Sequence, residues 1–350
     1  MTSMSKPFID KHLPKNKLGL SIRNYEGVMS TLCAGCGHDS VTAALVQAFW
    51  ELDLAPESAA KVSGIGCSSK TTAYFMGQSH GINCVHGRMP SVATGANAAN
   101  GDLNYIGISG DGDSLSIGFG QFAHAIRRNL NMLYVLENNG VYGLTKGQFS
   151  AAADYGSKSK KGLANDQMPI DPCVQALTLG AGFVARAFSG DKSQLIPLIK
   201  AGLKHKGFAL IDVISPCVTF NDHAGSTKSY AHTYKYYHPL VHTDFVAHAD
   251  EITGSYDRDG AMRVTMQDGG ELFLRKTDSD YDPRDRAQAI ETLMMNKSEG
   301  EIRTGLLYLN SDLPDMHAAN NLPKKPLNQV PYERLTPGKA ALAKLQSRYR

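Results

Sequence analysis

The stretch from Tyr105 to Gln148 constrains the fold of this chain more than any other part of it. It begins with an apolar strand, Tyr105–Ser109, which ends in the sequence GDGD at Gly110–Asp113. Apolar residues then recur at helical spacing over Leu115–Leu130, and Met132–Leu136 is a second apolar strand before the run ENNGVYG. Two buried strands joined by a helix are typical of a parallel sheet with helices on its faces. The pattern predicts an α/β fold with a doubly wound parallel sheet.

Polar side chains follow both of these strands. Asp111 and Asn139 come just after the strand ends, and open α/β sheets bind ligands at the carboxyl ends of their strands. Their side-chain oxygens and the Val141 carbonyl suit Mg²⁺, whose remaining positions are usually filled by phosphate oxygens and water. Gly112 and the N-terminus of the following helix offer backbone N–H groups to the same phosphates. A GDG followed by NN at this spacing resembles the thiamine diphosphate signature of transketolase-like enzymes, with an ordinary Rossmann-type turn as the alternative.

Composition narrows the class of protein. The chain has 350 residues, enough for one large α/β domain with appendages or for two small domains. Its formal charge of +3, with basic residues scattered, gives no support for binding to nucleic acid or to an anionic membrane. We find no apolar stretch of membrane-spanning length and no secretory h-region, so we expect a cytoplasmic protein. Cysteines in the cytoplasm are usually free, catalytic or metal-bound.

Four of the six cysteines are predicted to meet at the same edge of the sheet. Cys33 and Cys36 form a C-x-x-C before a helix. Cys67 follows a short strand and a glycine turn, and Cys217 follows the strand Phe208–Ile214. Four thiolates at one edge suit either zinc or an iron–sulfur cluster. One C-x-x-C with two distant cysteines is more typical of a cluster buried in a fold.

Six motifs taken together resemble the β-subunits of 2-oxoacid:ferredoxin oxidoreductases, with the 2-oxoglutarate type closest. The similarity covers about Tyr25 to His242 and implies a sheet of the thiamine diphosphate-binding type. The motifs, in chain order, are CAGCGH, GIGCSSK, HGR, GDGD, NNGVYGLTKGQ and SPCVTFND.

This resemblance implies a set of site residues. One [4Fe-4S] cluster would be held by Cys33, Cys36, Cys67 and Cys217. Mg²⁺ would be bound by Asp111, Asn139 and Val141. Thiamine diphosphate would be contacted by Ile65, Gly66, Cys67, Ser68, His86, Gly110, Asp111, Gly112, Asp113, Asn139, Val141, Gly143, Leu144 and Thr145.

Two residues are candidates for direct roles in catalysis. His86 is expected close to the cofactor, although from sequence alone it reads as a loop histidine. Lys70 follows a cluster cysteine by three positions, and in the resembling enzymes a lysine there accompanies dicarboxylate 2-oxoacids, whose distal carboxylate it can pair. Lys146 stands where pyruvate-type members carry glycine, which also favours an acidic substrate. A solvated surface lysine is the alternative for Lys70.

The implied reaction is the coenzyme A-dependent oxidative decarboxylation of 2-oxoglutarate to succinyl-CoA and CO₂, with electrons passing through the cluster to ferredoxin. The step is reversible and could fix CO₂. Pyruvate and branched-chain 2-oxoacids are alternative substrates. The chain has no second thiamine-type domain to supply the glutamate that activates the cofactor, so the resemblance implies a separate α-subunit in an αβ or α₂β₂ assembly, without which the chain should be inactive.

The expected organisation has three parts. Residues 1–24 are an N-terminal arm or a disordered tail, residues 25–242 bind thiamine diphosphate and the cluster, and residues 243–350 are an extension that contacts the partner subunit or forms a small separate domain. The extension is expected to contain hairpins over Ser255–Lys276 and a strand at Gly305–Leu309. Two other classes of function stay open: a non-redox thiamine-dependent decarboxylase or lyase, and a structural zinc protein acting as an interaction subunit.

Overall fold

The predicted strand–helix–strand unit lies at the centre of the fold. The structure, a computed structural model, describes residues 4–8, 11–246, 261–265, 271–276, 280–295 and 301–349. Its strands are β1 Ala59–Ser63, β2 His80–Asn83, β3 Asn104–Gly110, β4 Met132–Asn138, β5 Val141–Tyr142, β6 Gln148–Phe149, β7 Phe183–Phe188, β8 Phe208–Ile214, β9 Tyr237–Val246, β10 Ala261–Thr265, β11 Glu271–Lys276 and β12 Ile302–Leu309.

The helices mostly follow the strands in alternation, as the sequence predicts. They are α1 Gly37–Glu51, α2 Thr71–Tyr74, α3 Met89–Ala99, α4 Phe119–Arg127, α5 Pro172–Leu179, α6 Lys192–Lys204, α7 Tyr230–Tyr236, α8 Arg286–Met294, α9 Met316–Asn320, α10 Tyr332–Leu335 and α11 Gly338–Gln346. None of the described helices is long and apolar enough to span a bilayer.

Ten of the strands form one sheet, in the order β10-β11-β9-β12-β7-β8-β4-β3-β1-β2. In the part of the sheet with the order β7-β8-β4-β3-β1-β2, all neighbouring strands are parallel. Strand β4 runs between β3 and β8, with Leu133 opposite Ile106 and Ala209. Every residue of β4, β7 and β8 is buried, as expected for strands covered on both faces. The helices α1 and α6 pack together, while α4 packs against α3 and α5. The predicted doubly wound parallel sheet is confirmed.

The helix predicted from Leu115 begins later than its apolar spacing suggests. Residues Gly112–Ile117 form a π-helix, and the α-helix starts only at Phe119. Gly118 lies between the two helices, where a side chain has no room. A Cβ there would lie 2.7 Å from the Asp113 carbonyl oxygen and 2.8 Å from the Cα of Gly87. Short π-helical turns are rare and often occur at functional sites.

The C-terminal third extends the main sheet. Strand β12 pairs antiparallel with β7 and parallel with β9, and β9 continues through β11 to β10. The predicted hairpin is present as β10 and β11, whereas residues 255–260 and 266–270 lie outside the described residues. The strand predicted at Gly305–Leu309 is confirmed as part of β12.

Residues Asn16 to Leu20, in the last part of the N-terminal arm, pack against the predicted thiamine-type domain. Asn16 donates to the Tyr25 hydroxyl at 2.8 Å, and the Trp50 indole of α1 donates to the Leu20 carbonyl at 3.1 Å. Tyr25 is fully buried. The last part of the arm is therefore anchored on α1.

Candidate functional site

One cavity collects the residues that the sequence assigned to the cofactor. It lies at the carboxyl ends of β1, β3 and β4, where their loops converge, and its volume is about 80 Å³. Every residue predicted to contact the cofactor lines it: Ile65, Gly66, Cys67, Ser68, His86, Gly110, Asp111, Gly112, Asp113, Asn139, Val141, Gly143, Leu144 and Thr145. Three further residues complete the wall and were not predicted: His38, Ile117 and Tyr142.

The oxygens predicted to bind Mg²⁺ are held by the turn after β4. The Asp111 carboxylate accepts hydrogen bonds from the Gly140 N–H at 3.0 Å and from the Ser150 hydroxyl, with the Asn139 N–H at 3.4 Å. The Asn139 side-chain oxygen accepts from the Val141 N–H at 3.0 Å. Asp111 is almost fully buried, so its orientation is set by this turn.

Electrostatics at Asp111 favour a cation. Burial raises the pKa of this carboxyl to about 6, against the lowering effects of its hydrogen bonds and of the Lys228 charge. A buried carboxylate without a cation is costly, because the protein interior solvates charge poorly. The carboxylate, amide and carbonyl oxygens form a hard donor set of the kind that Mg²⁺ takes. The residues present therefore fit a Mg²⁺ ion.

Two glycines bring the loops close enough to form the cavity. A Cβ on Gly112 would lie 2.3 Å from the Tyr142 ring, and a Cβ on Gly64 would lie 1.9 Å from the Asp113 carboxylate. The Asp113 carboxylate accepts from the Gly87 N–H at 2.8 Å and from the Ser109 hydroxyl at 2.7 Å. Although Asp113 lines the cavity, its oxygens are used to hold the loop that carries His86.

The four predicted cluster cysteines lie at the same edge. A Cβ on Gly143 would be 3.5 Å from the Cys67 sulfur and 3.7 Å from the Cys217 sulfur, so both thiols flank one glycine of the cavity wall. Cys33 accepts a hydrogen bond from Thr219, two residues after Cys217. The Cys36 amide donates to the Cys33 carbonyl at 3.0 Å, which closes the C-x-x-C turn. The fold brings three distant segments of the chain together.

The charges of these thiols suit a cluster better than free thiolates. Burial raises the pKa of Cys36 to about 12, and burial and the Cys217 thiol raise the pKa of Cys67 despite the Lys70 charge. A bound metal deprotonates such thiols outright. Within the described residues, no group of three or more His, Cys, Asp or Glu closes around a single ion. The ligands of a four-iron cluster stand farther apart than those of one ion, and the two thiols that flank Gly143, with Cys33 bonded to Thr219 beside Cys217, fit that larger group.

The two candidate catalytic residues occupy different places. His86 is exposed and lines the cavity. Lys70 is half-buried at the end of a short 3₁₀ turn after Cys67 and does not line the cavity of this chain. Among the described residues no acidic side chain pairs with Lys70, and Cys67 is close enough to feel its charge. The structure thus brings His86 to the cofactor cavity and leaves Lys70 beside it.

The most informative residue that the sequence prediction missed is His38. It lies in the first turn of α1, is buried, and belongs to the CAGCGH motif, which was the only signal that could have identified it. Its Nδ1 lies 2.6 Å from the Ser215 hydroxyl and 3.4 Å from the Glu137 carboxyl. Burial lowers the pKa of His38 to about 4 and raises the pKa of Glu137 well above its usual range. Burial therefore disfavours the charged form of both side chains, which lie in one polar cluster with Ser215.

A second cavity, of about 360 Å³, lies beside the first, behind Asn138. Its charged groups are paired with one another. Arg186 contacts Asp212 at 2.8 Å and Asp171 at 2.5 Å, and Lys228 contacts Asp154 at 3.1 Å. These pairs tie β7, β8 and the loops above them together.

Comparison with known proteins agrees with the geometry. Residues 64–213 match the family described as "Thiamine pyrophosphate enzyme, C-terminal TPP binding domain". The chain is similar to the 2-oxoacid:ferredoxin oxidoreductase subunit beta of Saccharolobus solfataricus, with 42% identity over 211 residues, 60% of this chain and 67% of that protein. It is also similar to the 2-oxoglutarate synthase subunit KorB of Methanocaldococcus jannaschii, with 38% identity over 189 residues, 54% of this chain and 69% of that protein.

A solved structure extends the likeness to most of the chain. The 2-oxoglutarate:ferredoxin oxidoreductase from Magnetococcus marinus, with 2-oxoglutarate, coenzyme A and succinyl-CoA bound, superposes with a TM-score of 0.71 and 30% identity over 89% of this chain and 91% of that chain. The sequence matches span about two thirds of the length of the curated relatives. The predicted thiamine diphosphate-dependent oxidoreductase is confirmed. This chain belongs to the family of 2-oxoacid:ferredoxin oxidoreductase β-subunits.

Proposed function

We propose that this chain is the β-subunit of a 2-oxoglutarate:ferredoxin oxidoreductase that forms succinyl-CoA and CO₂ from 2-oxoglutarate and coenzyme A, in a reversible step that could also fix CO₂. The observation that carries the proposal is that the cofactor cavity and the cysteine site share one wall. Cys67 lines the cofactor cavity, and Gly143 of the same wall lies between Cys67 and Cys217. A carrier of single electrons at these thiols would stand directly beside the cofactor. Neither a non-redox lyase nor a structural zinc protein needs that arrangement.

Each group of residues has a separate task in this proposal. Bound thiamine diphosphate supplies the electron sink for decarboxylation, and a [4Fe-4S] cluster on Cys33, Cys36, Cys67 and Cys217 supplies one-electron transfer to ferredoxin. Asp111, Asn139 and Val141 hold Mg²⁺ and so orient the diphosphate. Gly112 leaves backbone room for the phosphates beside the Tyr142 ring. His86 contributes a donor or acceptor at the mouth of the cavity.

Two lysines support a dicarboxylate substrate. Lys70 is a half-buried cation beside Cys67 without an acidic partner in the described part of the chain. Lys146 has a φ of +80°, a left-handed conformation that favours glycine, and yet the chain carries a lysine there. Retaining a strained residue suggests that its charge has a use at this site. Both charges would attract the distal carboxylate of 2-oxoglutarate, while pyruvate offers no such group.

The mouth of the cavity supports a partner α-subunit. At about 80 Å³ the cavity is smaller than most ligand sites, which run from about 300 to 1,000 Å³. Three apolar side chains at or beside the mouth are exposed: Val85, Ile117 and Leu144. Exposed apolar side chains grouped at one place commonly mark an interface. An α-subunit covering this rim would complete the site, in an αβ or α₂β₂ assembly.

The organisation of the chain follows from the same proposal. We assign residues 25–242 to the two cofactors and residues 243–350 to contact with the partner, with residues 1–24 as an arm. The end of the chain supports this assignment, because α11 is exposed along its whole length and presents Leu342 and Leu345 together with Lys339 and Lys344. The six free cysteines suit a reducing compartment such as the cytoplasm.

The test is an anaerobic preparation co-expressed with the α-subunit. We expect about four irons and four sulfides per β-chain, a reduced [4Fe-4S] signal in the EPR spectrum that disappears in Cys217→Ser, and ferredoxin reduction with 2-oxoglutarate and coenzyme A. The isolated chain should be inactive. Zinc in place of iron, or thiamine binding with no metal at the thiols, would contradict the proposal.

Substrate choice is tested with two variants. Lys70→Met and Lys146→Gly should each raise the KM for 2-oxoglutarate at least tenfold, about 1.4 kcal/mol, and change activity with pyruvate much less. Lys158→Met, on an exposed loop away from the cavity, is the matched control and should leave both KM values unchanged. Equal losses for the two substrates would separate these lysines from recognition of the distal carboxylate.

A further inference from the structure

A buried glutamate lies at the centre of a polar network that reaches the segments carrying the four cluster cysteines. Glu137 lies in β4, two residues before Asn139, and is fully buried. The Thr71 hydroxyl donates to its two carboxyl oxygens at 3.1 and 3.2 Å, and His38 Nδ1 lies 3.4 Å away. His38 in turn is bound to the Ser215 hydroxyl at 2.6 Å.

Each member of this network belongs to a different ligand-bearing segment. His38 follows Cys36 by two residues, Thr71 follows Cys67 by four, and Ser215 precedes Cys217 by two. Two of the cysteine segments therefore reach Glu137 directly, through His38 and Thr71, and the third reaches it through the contact between Ser215 and His38. Gly37 makes this approach possible, because a Cβ there would lie 2.5 Å from the Ser215 hydroxyl oxygen.

Burying this polar network costs free energy of folding, which favours a functional reason for keeping it. The rest of β4 before Asn138 is apolar or aromatic, and an apolar side chain at position 137 would bury with less penalty than a carboxyl group. Within the described residues no lysine or arginine pairs with Glu137. A fully connected polar network instead specifies one arrangement of the segments that it joins. His38 also lines the cofactor cavity, so a change in its orientation would be felt at the cofactor.

We propose that Glu137 is a positioning residue which, through His38, Thr71 and Ser215, sets the placement of the cluster cysteines relative to the thiamine diphosphate cavity. This inference rests on the proposed function, because it assumes a cluster at the four cysteines. It predicts that one side chain, which is not itself a proposed ligand, controls both the reduction potential of the cluster and the affinity for the cofactor. Hydrogen bonding and exposure near a cluster are among the factors that determine its potential.

The experiment compares Glu137→Leu with Glu137→Gln in the anaerobic complex with the α-subunit. The leucine variant removes both arms of the network, and we expect a change of at least tenfold in the equilibrium constant for cluster reduction, about 59 mV for one electron, and at least tenfold weaker binding of thiamine diphosphate. Glutamine has nearly the same shape and can still accept from Thr71, so it should stay within twofold of wild type in both measurements. EPR-monitored redox titration and calorimetric titration with thiamine diphosphate provide the two readouts.

Smaller variants keep the test decisive if Glu137→Leu does not fold. Thr71→Val and Ser215→Ala each remove one arm and should shift both readouts in the same direction as Glu137→Leu, by a smaller amount. Thr42→Val is the matched control, because the Thr42 hydroxyl is also buried, on α1, but within the described part of the chain it bonds only to the His38 carbonyl of its own helix. It should change neither readout.

The outcomes separate this inference from the proposed function. Wild-type protein without iron would overturn the function itself. Fully loaded leucine, valine and alanine variants with wild-type potential and cofactor affinity would overturn only the positioning role. A glutamine variant as impaired as the leucine variant would also overturn it, since the charge would then matter and the hydrogen bonds would not. Variants that lose iron but keep a wild-type potential in the remaining cluster would indicate a purely structural role.

Discussion

Asp113 allows a sharp test of how the cofactor cavity is built. The sequence assigned it to cofactor contact, whereas in the structure its carboxylate accepts from the Gly87 N–H at 2.8 Å and the Ser109 hydroxyl at 2.7 Å. Asp113→Ala removes both acceptors and leaves a buried amide at Gly87 without a partner. Asp113→Asn keeps the shape, because its amide oxygen can accept from Gly87 while its NH₂ donates to Ser109.

The two variants should differ in stability by an amount that follows from these contacts. A hydrogen bond to a charged group contributes about 1.5–3 kcal/mol. Ser109 can turn toward the Gly110 carbonyl, 3.4 Å away, so the net cost of Asp113→Ala is about 3 kcal/mol. With an unfolding entropy of about 2.1 cal/mol/K per residue, this chain should lose about 4 °C in Tm. Asp113→Asn should lose about 1 °C.

Differential scanning calorimetry with and without thiamine diphosphate and Mg²⁺ provides the measurement. The alanine variant should show the full loss of Tm in both conditions, together with weaker cofactor binding as the His86 loop loosens. Ser63→Ala is the control, since the Ser63 hydroxyl is buried at the end of β1 and has no hydrogen-bond partner among the described residues, and its removal should leave Tm unchanged. If Asp113→Asn keeps a normal Tm but binds the cofactor as weakly as the alanine variant, the carboxylate contacts the cofactor directly and our reasoning is wrong.

Three further perturbations test other parts of the structure. Burial lowers the pKa of His205 to about 4, so the unfolded chain takes up a proton first as pH falls below 6.5, and His205 should contribute a drop of up to about 3 kcal/mol in the free energy of unfolding between pH 6.5 and 4. Urea titrations of His205→Leu should show a drop that is smaller by this amount, because His38, whose pKa burial also lowers to about 4, still contributes. Arg186→Met leaves Asp171 and Asp212 without their shared partner and should lower the free energy of unfolding by about 3–5 kcal/mol, whereas Lys158→Met on the surface should leave it unchanged. Deleting residues 338–350 removes a segment whose described side chains, those of residues 338–349, are all exposed, so Tm should stay within about 1 °C while size-exclusion chromatography shows loss of the α-subunit; retention of the complex would refute that contact.

The central unit was predictable because its signals are local. An apolar strand that ends in glycines has few alternatives to a buried parallel strand, and β3 and β4 are present with only their ends shifted. Parallel strands then bring their carboxyl ends to one edge, which places Asp111, Asn139 and Cys67 together without further information. For this reason the strand ends that carry the cavity were predictable, whereas the full set of contacts came from the family resemblance and still missed His38, Ile117 and Tyr142.

The network at Glu137 was not predictable, because its contacts join residues that are far apart in the sequence. A single glutamate at the end of an apolar strand gives no sign of its partners. Thr71 lies 66 residues from Glu137 in the sequence, and the bonded pair His38 and Ser215 are 177 residues apart. Only the completed fold shows that these side chains meet. Tyr142 and Ile117 were missed likewise, because their contribution to the cavity depends on how tightly Gly112 and Gly87 let the loops approach.

The C-terminal third shows where strand patterns stop being informative. The sequence indicated a hairpin and a further strand, yet it could not indicate that β12 would insert between β7 and β9, antiparallel to one and parallel to the other. Alternation of side chains defines a strand but leaves its partner open, since any exposed sheet edge offers the same backbone hydrogen bonds. The apolar run in β12 suits a position with strands on both sides, and Leu306 and Leu307 are fully buried there. By covering the edge of β7, this segment makes the C-terminal third part of the main sheet.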